Sequence, residues 1–350
     1  MILIIIMISA CTTRQQVPES LSDNTVKYAT GFHFETSEAS DYLVVDLPWP
    51  NAQKGIRYDL RELPKTFVCT STTHLPFFEM LESEASVIGF PNLKYISSEA
   101  FIKRAEQGHL IDLGPDDNLN LELLIGANPN AVIAFDMGSE SKSLNKIKES
   151  GIPVYYNSDF LEESPLGRAE WIKFFGALLN KRTRADSIFN QIESNYLSLK
   201  KRVLEVEKPS ILSGIIYGDT WFMPGGENWA STFYRDSGGA YLWSKDTTSG
   251  WLELSFESVY NTANDADYWI GTGTMNSRAE LLGQDERYAS FLPYQNDRIY
   301  NYNKRVGPYG GYDFFESGYA RPDLVLSDLI KILHPHILPD YETVYFQPLP

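Results

Sequence analysis

The side chains best suited to ligand binding lie in loops that follow short apolar segments of the sequence. Apolar segments of this length, bounded by turn-forming residues, are typical of buried strands. In open α/β sheets, ligands bind beyond the carboxyl ends of the strands, where such loops meet. The sequence therefore predicts one cleft lined by four loops, at residues 71–74, 136–139, 221–223 and 271–274.

Aromatic residues are frequent in and around these loops. Trp221, Trp229 and Tyr309 belong to this group, and Arg305 lies in the glycine-rich segment KRVGPYGGY. Aromatic walls with a few polar groups suit a bulky, partly planar ligand, and an arginine among them suits a carboxylate, a catecholate or another anionic edge. We interpret these four residues as ligand contacts. The alternatives are ordinary ones: a tryptophan in a core and an arginine in a surface ion pair.

The histidines do not form a pattern typical of a site for a bare metal ion. Of the five, only His334 and His336 lie close together, on either side of Pro335, whereas such a site needs several His or carboxylate ligands that converge. We therefore expect no protein-bound metal and no cofactor. His74 differs because it lies in the loop after a predicted strand, where it would either contact ligand or help to start the next helix.

Motifs of common enzyme classes are missing from the sequence. It contains no Gly-x-Ser-x-Gly turn, no Gly-x-x-x-x-Gly-Lys loop and no His-Glu-x-x-His pair. We therefore expect a binding protein rather than an enzyme. Two alternatives stay open: a lipid-anchored α/β hydrolase that uses Ser71 and His74, and a structural lipoprotein with an empty cleft.

The segments around these loops alternate between strand and helix patterns, which favours an α/β fold with mainly parallel sheets. Residues 183–205 carry apolar side chains at spacings of three and four, with Thr183 as a candidate N-cap and Pro209 beyond the end. At about 1.5 Å per residue, this helix would be roughly 35 Å long. It is either a rigid spacer between two lobes or an ordinary surface helix.

The length and net charge of the chain limit the number of domains and the kinds of partner that we expect. The chain has 350 residues and a formal net charge of −16. That length favours two domains. An acidic protein of this kind lacks the basic surface that nucleic-acid binding requires, so we expect no nucleic-acid partner.

The first eleven residues are typical of a lipoprotein signal. Residues 1–8, MILIIIMI, are too few to span a bilayer, and Ser9 and Ala10 precede Cys11 in a pattern that resembles a bacterial lipobox. Residues 12–24 are polar, as expected of a tether behind a lipidated Cys11. No Lys or Arg precedes the apolar segment, and a buried N-terminal strand is the alternative.

Four segments of the chain resemble the helical-backbone, or class III, substrate-binding proteins of ABC importers, which take up ferric siderophores, haem or cobalamin. They are STTHLPFFEML, LLIGANPNAVIAF, GIPVYYNSDFLEESPLGRAEWIKFFGALL with ADSIFNQIESNY, and LSFESVYNTANDADYWIG with GGYDFFESGYARPDLVLSDLIKILHP. The resemblance implies two Rossmann-like α/β lobes joined by one long interlobe helix. We accordingly assign residues 1–11 to the signal and lipobox, 12–27 to the tether, 28–182 to the N-terminal lobe, 183–206 to the interlobe helix and 207–350 to the C-terminal lobe.

The same resemblance implies a monomeric, lipid-anchored receptor of the cell envelope that holds a metal chelate between its lobes and delivers it to an ABC transporter permease. In the family, one glutamate on each lobe pairs with arginines of the transporter. Glu257, in LSFESV, occupies the matching place in the C-terminal lobe. In the N-terminal lobe Pro76 stands at the aligned place, so Glu79, about one turn later, is the candidate, with Glu82 and Glu84 as near alternatives.

Overall fold

Two mainly parallel sheets, each covered by helices, are connected by one long helix. The computed structural model describes residues 25–38, 40–115, 118–138 and 141–350; the predicted signal, Cys11 and most of the predicted tether lie outside these residues. The strands are β1 (Phe32–Thr36), β2 (Asp41–Val45), β3 (Ile56–Asp59), β4 (Phe67–Cys69), β5 (Val87–Phe90), β6 (Ile111–Asp112), β7 (Ala131–Ala134), β8 (Val154–Tyr156), β9 (Ser210–Leu212), β10 (Ile215–Tyr217), β11 (Thr220–Pro224), β12 (Ala240–Tyr241), β13 (Trp251–Leu254), β14 (Tyr268–Ile270), β15 (Ile299–Asn301) and β16 (Gln347–Pro348). The helices are α1 (Leu75–Met80), α2 (Glu99–Glu106), α3 (Leu121–Ala127), α4 (Lys142–Glu149), α5 (Pro165–Glu170), α6 (Ile172–Leu178), α7 (Arg182–Arg202), α8 (Trp229–Asp236), α9 (Phe256–Ala263), α10 (Arg278–Gln284), α11 (Leu292–Gln295), α12 (Ser317–Ala320) and α13 (Pro322–Leu333).

The N-terminal lobe is built on a five-stranded parallel sheet in the order β6-β5-β4-β7-β8. Its strands are short and apolar because helices cover both faces: Phe67, Val68 and Cys69 of the central β4 are all fully buried. Strands β1, β2 and β3 form a separate antiparallel sheet at the start of the lobe. The carboxyl ends of the parallel strands therefore lie at one edge of the lobe.

The C-terminal lobe repeats this plan with a sheet in the order β12-β9-β14-β15-β16, in which only β16 runs antiparallel to its neighbour. Strands β9 and β10 follow each other closely in the chain and are separated by a turn at Gly214. The φ of Gly214 is +81°, and an added Cβ would lie 2.0 Å from the carbonyl oxygen of Phe222, so only glycine allows this turn. After it, β10 enters a second, antiparallel sheet, β10-β11-β13.

The long helix α7 touches both lobes. It packs against α6 of the N-terminal lobe and α13 of the C-terminal lobe, and buries Ala185, Phe189, Ile192 and Tyr196 along one side. It begins at Arg182, so Thr183 is not its N-cap, and it ends at Arg202, before the predicted end, because the chain turns at Val203, which is buried in the core. Among the described residues, no helix is both long enough and apolar enough to cross a membrane.

The chain joins the N-terminal lobe through two buried carboxylates. The backbone N–H groups of Lys27, Tyr28 and Ala29 donate to Glu170 of α5 over 2.6–3.0 Å. Those of Thr30 and Gly31 donate to Glu162, just before α5. Residue 27, which the sequence assigns to the tether, is therefore attached to the fold.

Candidate ligand-binding site

A cavity of about 960 Å³ lies between the two lobes. The N-terminal lobe contributes residues that follow β7 and β8, and the C-terminal lobe contributes residues that follow β9, β14 and β15. The walls are largely aromatic, and include Phe160, Phe222, Trp229, Trp251, Tyr302 and Tyr319. The volume is at the upper end of the range for small-molecule sites, which is roughly 300–1,000 Å³.

Arg168, on α5, is the cationic group of this cavity among the described residues. Its side chain is only 6% exposed. Nε donates to the carbonyl oxygen of Glu162, and Nη2 to that of Phe160, each over 3.0 Å. These two bonds fix the plane of the guanidinium and leave donor capacity on Nη1 and Nη2. A guanidinium held in this way can bind an anionic group without first losing side-chain freedom.

Two neighbouring aromatic rings of the C-terminal lobe contact the Arg168 guanidinium. Its Cζ lies 4.6 Å from the ring centre of Trp229 and 4.6 Å from that of Tyr319. Both distances are within the range of a cation–π contact. Trp229 is held in place because it opens α8, whose N-cap Asn228 accepts a hydrogen bond from the N–H of Ala230 over 2.9 Å.

The remaining polar groups of the cavity are mostly committed within the protein. Glu162 is buried, and accepts hydrogen bonds from Thr30, Gly31 and the indole of Trp171. Tyr234 Oη is 3.0 Å from Ser213 Oγ, and burial raises the pKa of Tyr234 to about 12. The cavity therefore offers a ligand aromatic surface, neutral hydroxyls, one buried positive charge and the exposed carboxylate of Glu163.

Comparison with known proteins identifies the family. Residues 68–306 match the profile of the family described as periplasmic binding protein. The chain belongs to the periplasmic binding protein family.

Relatives agree with this assignment. An uncharacterized lipoprotein of Methanocaldococcus jannaschii is 26% identical over 310 residues, covering 85% of this chain and 72% of that protein. A vitamin B12-binding protein of Vibrio parahaemolyticus is 26% identical over 162 residues, covering 44% of this chain and 54% of that protein.

Solved structures of periplasmic binding proteins share the fold. A haem-binding protein of Roseiflexus superposes with a TM-score of 0.59 at 17% identity, covering 78% of this chain and 99% of that one. A protein of a ferric hydroxamate transport system from Saccharomonospora viridis gives a TM-score of 0.59 at 15% identity, covering 80% of this chain and 96% of that one. The predicted α/β fold of two lobes is confirmed.

One residue predicted to contact ligand in this periplasmic binding protein, Trp221, is buried in the core instead. It is fully buried, stacks on Trp269 at 5.5 Å, and donates from Nε1 to the carbonyl oxygen of Ser213 over 3.0 Å. The prediction was wrong because residues 221–223 are not a loop but part of β11, whose side chains alternate between two faces. The next residue, Phe222, lines the cavity.

His74 does not line the cavity either. It is fully buried against Phe175, at 5.9 Å between ring centres, and neither ring nitrogen has a hydrogen-bond partner among the described protein atoms. Burial lowers its pKa to about 3. Ser71 Oγ instead lies 3.0 Å from Thr73 Oγ1 and accepts from the N–H of Thr73. Ser71 and His74 therefore do not form the nucleophile–base pair of a hydrolase.

Arg305 and Tyr309 lie outside the cavity. The Nε atom of Arg305 is 3.1 Å from Asp313 Oδ2, in an ion pair whose arginine is 57% exposed, and Tyr309 is 72% exposed. Their loop follows β15 and meets the N-terminal lobe at the loop after β5, which does not line the cavity.

The two glutamates proposed for docking have different surroundings. The Glu257 side chain is 74% exposed in the first turn of α9, with Arg287 Nη1 3.8 Å away. Glu79 is partly buried and accepts a hydrogen bond from Ser98 Oγ. Burial raises the pKa of Glu79. Of the alternatives, Glu82 is 69% exposed and pairs with Arg184.

Sequence reasoning missed Arg168 and Tyr319 as cavity residues. Arg168 stands in the segment PLGRAEW, where every residue of α5 is buried. An arginine inside a short, wholly buried helix needs a specific partner, because burying an unpaired charge is costly. An arginine in such a segment was the sign of a site that the sequence offered, and it is weak without knowledge of which residues surround the helix.

Proposed function

We propose that this periplasmic binding protein is the lipid-anchored receptor of an ABC importer. It captures a metal chelate, namely a ferric siderophore, haem or cobalamin, in the cavity between its lobes. The observation that carries the proposal is the buried Arg168, in contact with the rings of Trp229 and Tyr319 at the wall of a cavity of about 960 Å³. Such a site suits a bulky ligand with a flat, apolar part and an anionic edge. The names of relatives that bind vitamin B12 and haem support this class of ligand.

Delivery requires a permease. We propose that Glu257 and Glu79 contact basic residues of the permease, one on each lobe, while the protein is held at the cell envelope by a lipid on Cys11. Charged contacts of this kind orient the partners and speed their encounter more than they add affinity. The exposure of Glu257 supports its role. Glu79 is the weaker candidate, since its carboxylate is already bonded to Ser98.

Ligand capture is tested in two stages. Native mass spectrometry of the protein purified from its own cells should reveal a retained chelate. Purified protein is then titrated with haemin, cyanocobalamin and ferric catecholate and hydroxamate complexes, with tryptophan fluorescence as the signal. We expect one class to bind with a Kd in the micromolar range or below. Failure of all four classes, with no retained ligand, would refute the proposal.

A further inference from the structure

The two lobes are tied together at one edge of the cleft by Glu316. This residue is 1% exposed and belongs to the C-terminal lobe. Its carboxyl oxygens accept the backbone N–H groups of Ser97, over 2.7 Å, and Ser98, over 3.1 Å, both in the N-terminal lobe. Ser97 Oγ donates in turn to the carbonyl oxygen of Gly311 over 2.9 Å. Three hydrogen bonds thus join the C-terminal lobe to two adjacent residues of the N-terminal lobe, Ser97 and Ser98.

The loop of residues 305–312 packs against the same stretch of backbone. A Cβ added at Gly311 would lie 2.3 Å from the carbonyl oxygen of Tyr95, and one added at Gly307 would lie 2.7 Å from that of Ile96. The loop is braced internally by the bond from the N–H of Gly307 to the carbonyl oxygen of Gly311, over 2.7 Å. Only glycine permits so close an approach of two backbones.

Strand order separates this contact from the cavity. In the N-terminal sheet, residues 95–98 follow β5, which lies on one side of the central β4. The cavity residues Met137, Phe160 and Arg168 follow β7 and β8, on the other side of β4. On the N-terminal lobe, the tie and the cavity therefore lie on opposite sides of β4, whereas on the C-terminal lobe Phe314 and Phe315 of the cavity lining directly precede Glu316.

Burial also changes the acidity of Glu316. Burial raises its pKa to about 8, and the nearby charges of Asp313 and Glu79 add to the rise, while its two amide hydrogen bonds oppose it. The cation beside these groups is Arg305, which pairs with Asp313.

Two large apolar side chains from different lobes are the most exposed ones that line the cavity. Met137 is 63% exposed and Trp251 is 62% exposed, and both line the cavity wall. We propose that Glu316 and residues 305–312 form an interlobe latch, and that ligand enters and leaves at the mouth between Met137 and Trp251. The inference rests on the proposed function, because it concerns the route by which a ligand reaches the cavity.

Hydrogen exchange tests the latch without any ligand. In Glu316→Ala and Gly311→Ala, exchange in the peptide that contains Ser97 and Ser98 should become faster, because the first removes the acceptor and the second forces the loop away. Gly283→Ala is the matched control, since a Cβ there meets nothing within 4 Å. Unchanged exchange at these two amides in both variants would overturn the latch.

Cross-linking tests the route. One variant carries Met137→Cys and Trp251→Cys at the mouth, and another carries Tyr95→Cys and Tyr309→Cys beside the latch. Both variants also carry Cys11→Ser. In each of them, a flexible bis-maleimide joins the two introduced cysteines. Haemin, cyanocobalamin and a ferric catecholate are the probes, and each variant before joining is its own control.

The two cross-links should act differently. Joining the mouth should slow probe binding by more than about tenfold, whereas joining the latch should change it by less than about twofold. Equal slowing of probe binding by both cross-links, or slowing by the cross-link beside the latch alone, would overturn the proposed entry route. Cys69 is fully buried, so it should not compete for the reagent. If no probe binds even the unsubstituted protein, the proposed ligand class fails, while the exchange experiment still decides the latch.

Discussion

The guanidinium of Arg168, from the N-terminal lobe, rests on the indole of Trp229, from the C-terminal lobe, with 4.6 Å between Cζ and the ring centre. The contact spans the two lobes at the wall of the cavity. A ligand that binds there would touch both lobes at once, so binding and lobe packing share the same side chains.

Replacing Arg168 tests this site most directly. Arg168→Ala should weaken ligand binding roughly ten- to a hundredfold, because a hydrogen bond to a charged group contributes about 1.5–3 kcal/mol. Arg168→Lys should not restore it, since lysine cannot hold two carbonyls and an anion in one plane. Arg305→Ala is the control and should leave the Kd unchanged. Fluorescence titration measures each Kd, and a larger loss in Arg305→Ala than in Arg168→Ala would contradict the assignment.

His74 should make folding sensitive to acid. Its folded pKa is about 3, lowered by burial, whereas an unfolded histidine titrates near about 6.5. Between these values only the unfolded chain takes up the proton, so stability falls as the pH falls, by at most about 1.4 kcal/mol per unit.

Urea unfolding at pH 7 and pH 5 measures this effect. From pH 7 to pH 5, the free energy of unfolding should fall by about 2 kcal/mol more in the unsubstituted protein than in His74→Leu, because leucine does not titrate. The exposed His109 supplies the control, and His109→Leu should show no such gain. Parallel pH dependence of His74→Leu and the unsubstituted protein would mean that His74 is not held neutral.

Charge reversal at Glu257 should impair transport but not ligand capture. Glu257→Lys removes an exposed carboxylate that no strong ion pair holds, and repulsion from a basic permease surface should slow docking. Uptake by whole cells and the Kd in solution are the two measurements. Glu79→Lys should have the same effect if Glu79 docks as well, and Glu286→Lys, at another exposed glutamate, is the control. Normal uptake by the double variant Glu79→Lys/Glu257→Lys would remove this docking scheme.

We predict that Cys11, which lies outside the described residues, attaches the protein to the membrane. Cys11→Ser should move the protein from the membrane fraction to the soluble fraction, because one lipid-modified cysteine would provide the anchor. Immunoblots of separated fractions decide this, and retention of the variant in the membrane would contradict the lipid anchor.

The sequence predicted the elements better than it predicted which side chains face the cavity. The helix predicted over residues 183–205 is present as α7, Arg182–Arg202. Trp221 and Trp229 looked alike in sequence, and only Trp229 lines the cavity. The difference depends on the turn at Gly214, which starts an antiparallel sheet and directs Trp221 inward. Which face of a short strand is buried depends on its neighbours in space, and these are not visible in the sequence.

The cavity arginine was overlooked for a related reason. Arg168 owes its position to the carbonyls of Phe160 and Glu162 and to rings from the other lobe. Every residue type has a backbone carbonyl, so the spacing of residue types could not predict these two hydrogen bonds. Arg305, by contrast, stands in a conspicuous glycine-rich loop, whose glycines serve close contact between the lobes.

The attachment of residues 27–31 to Glu162 and Glu170 has a mechanical consequence. Shortening the chain to begin at Phe32 would remove five backbone donors from two buried carboxylates, and buried charges without donors are strongly destabilising. These two glutamates flank Arg168 in sequence. A pull on the chain ahead of Thr25 would therefore reach Lys173 of α6 and then Glu170 of α5, the helix that carries Arg168, before it reached β1.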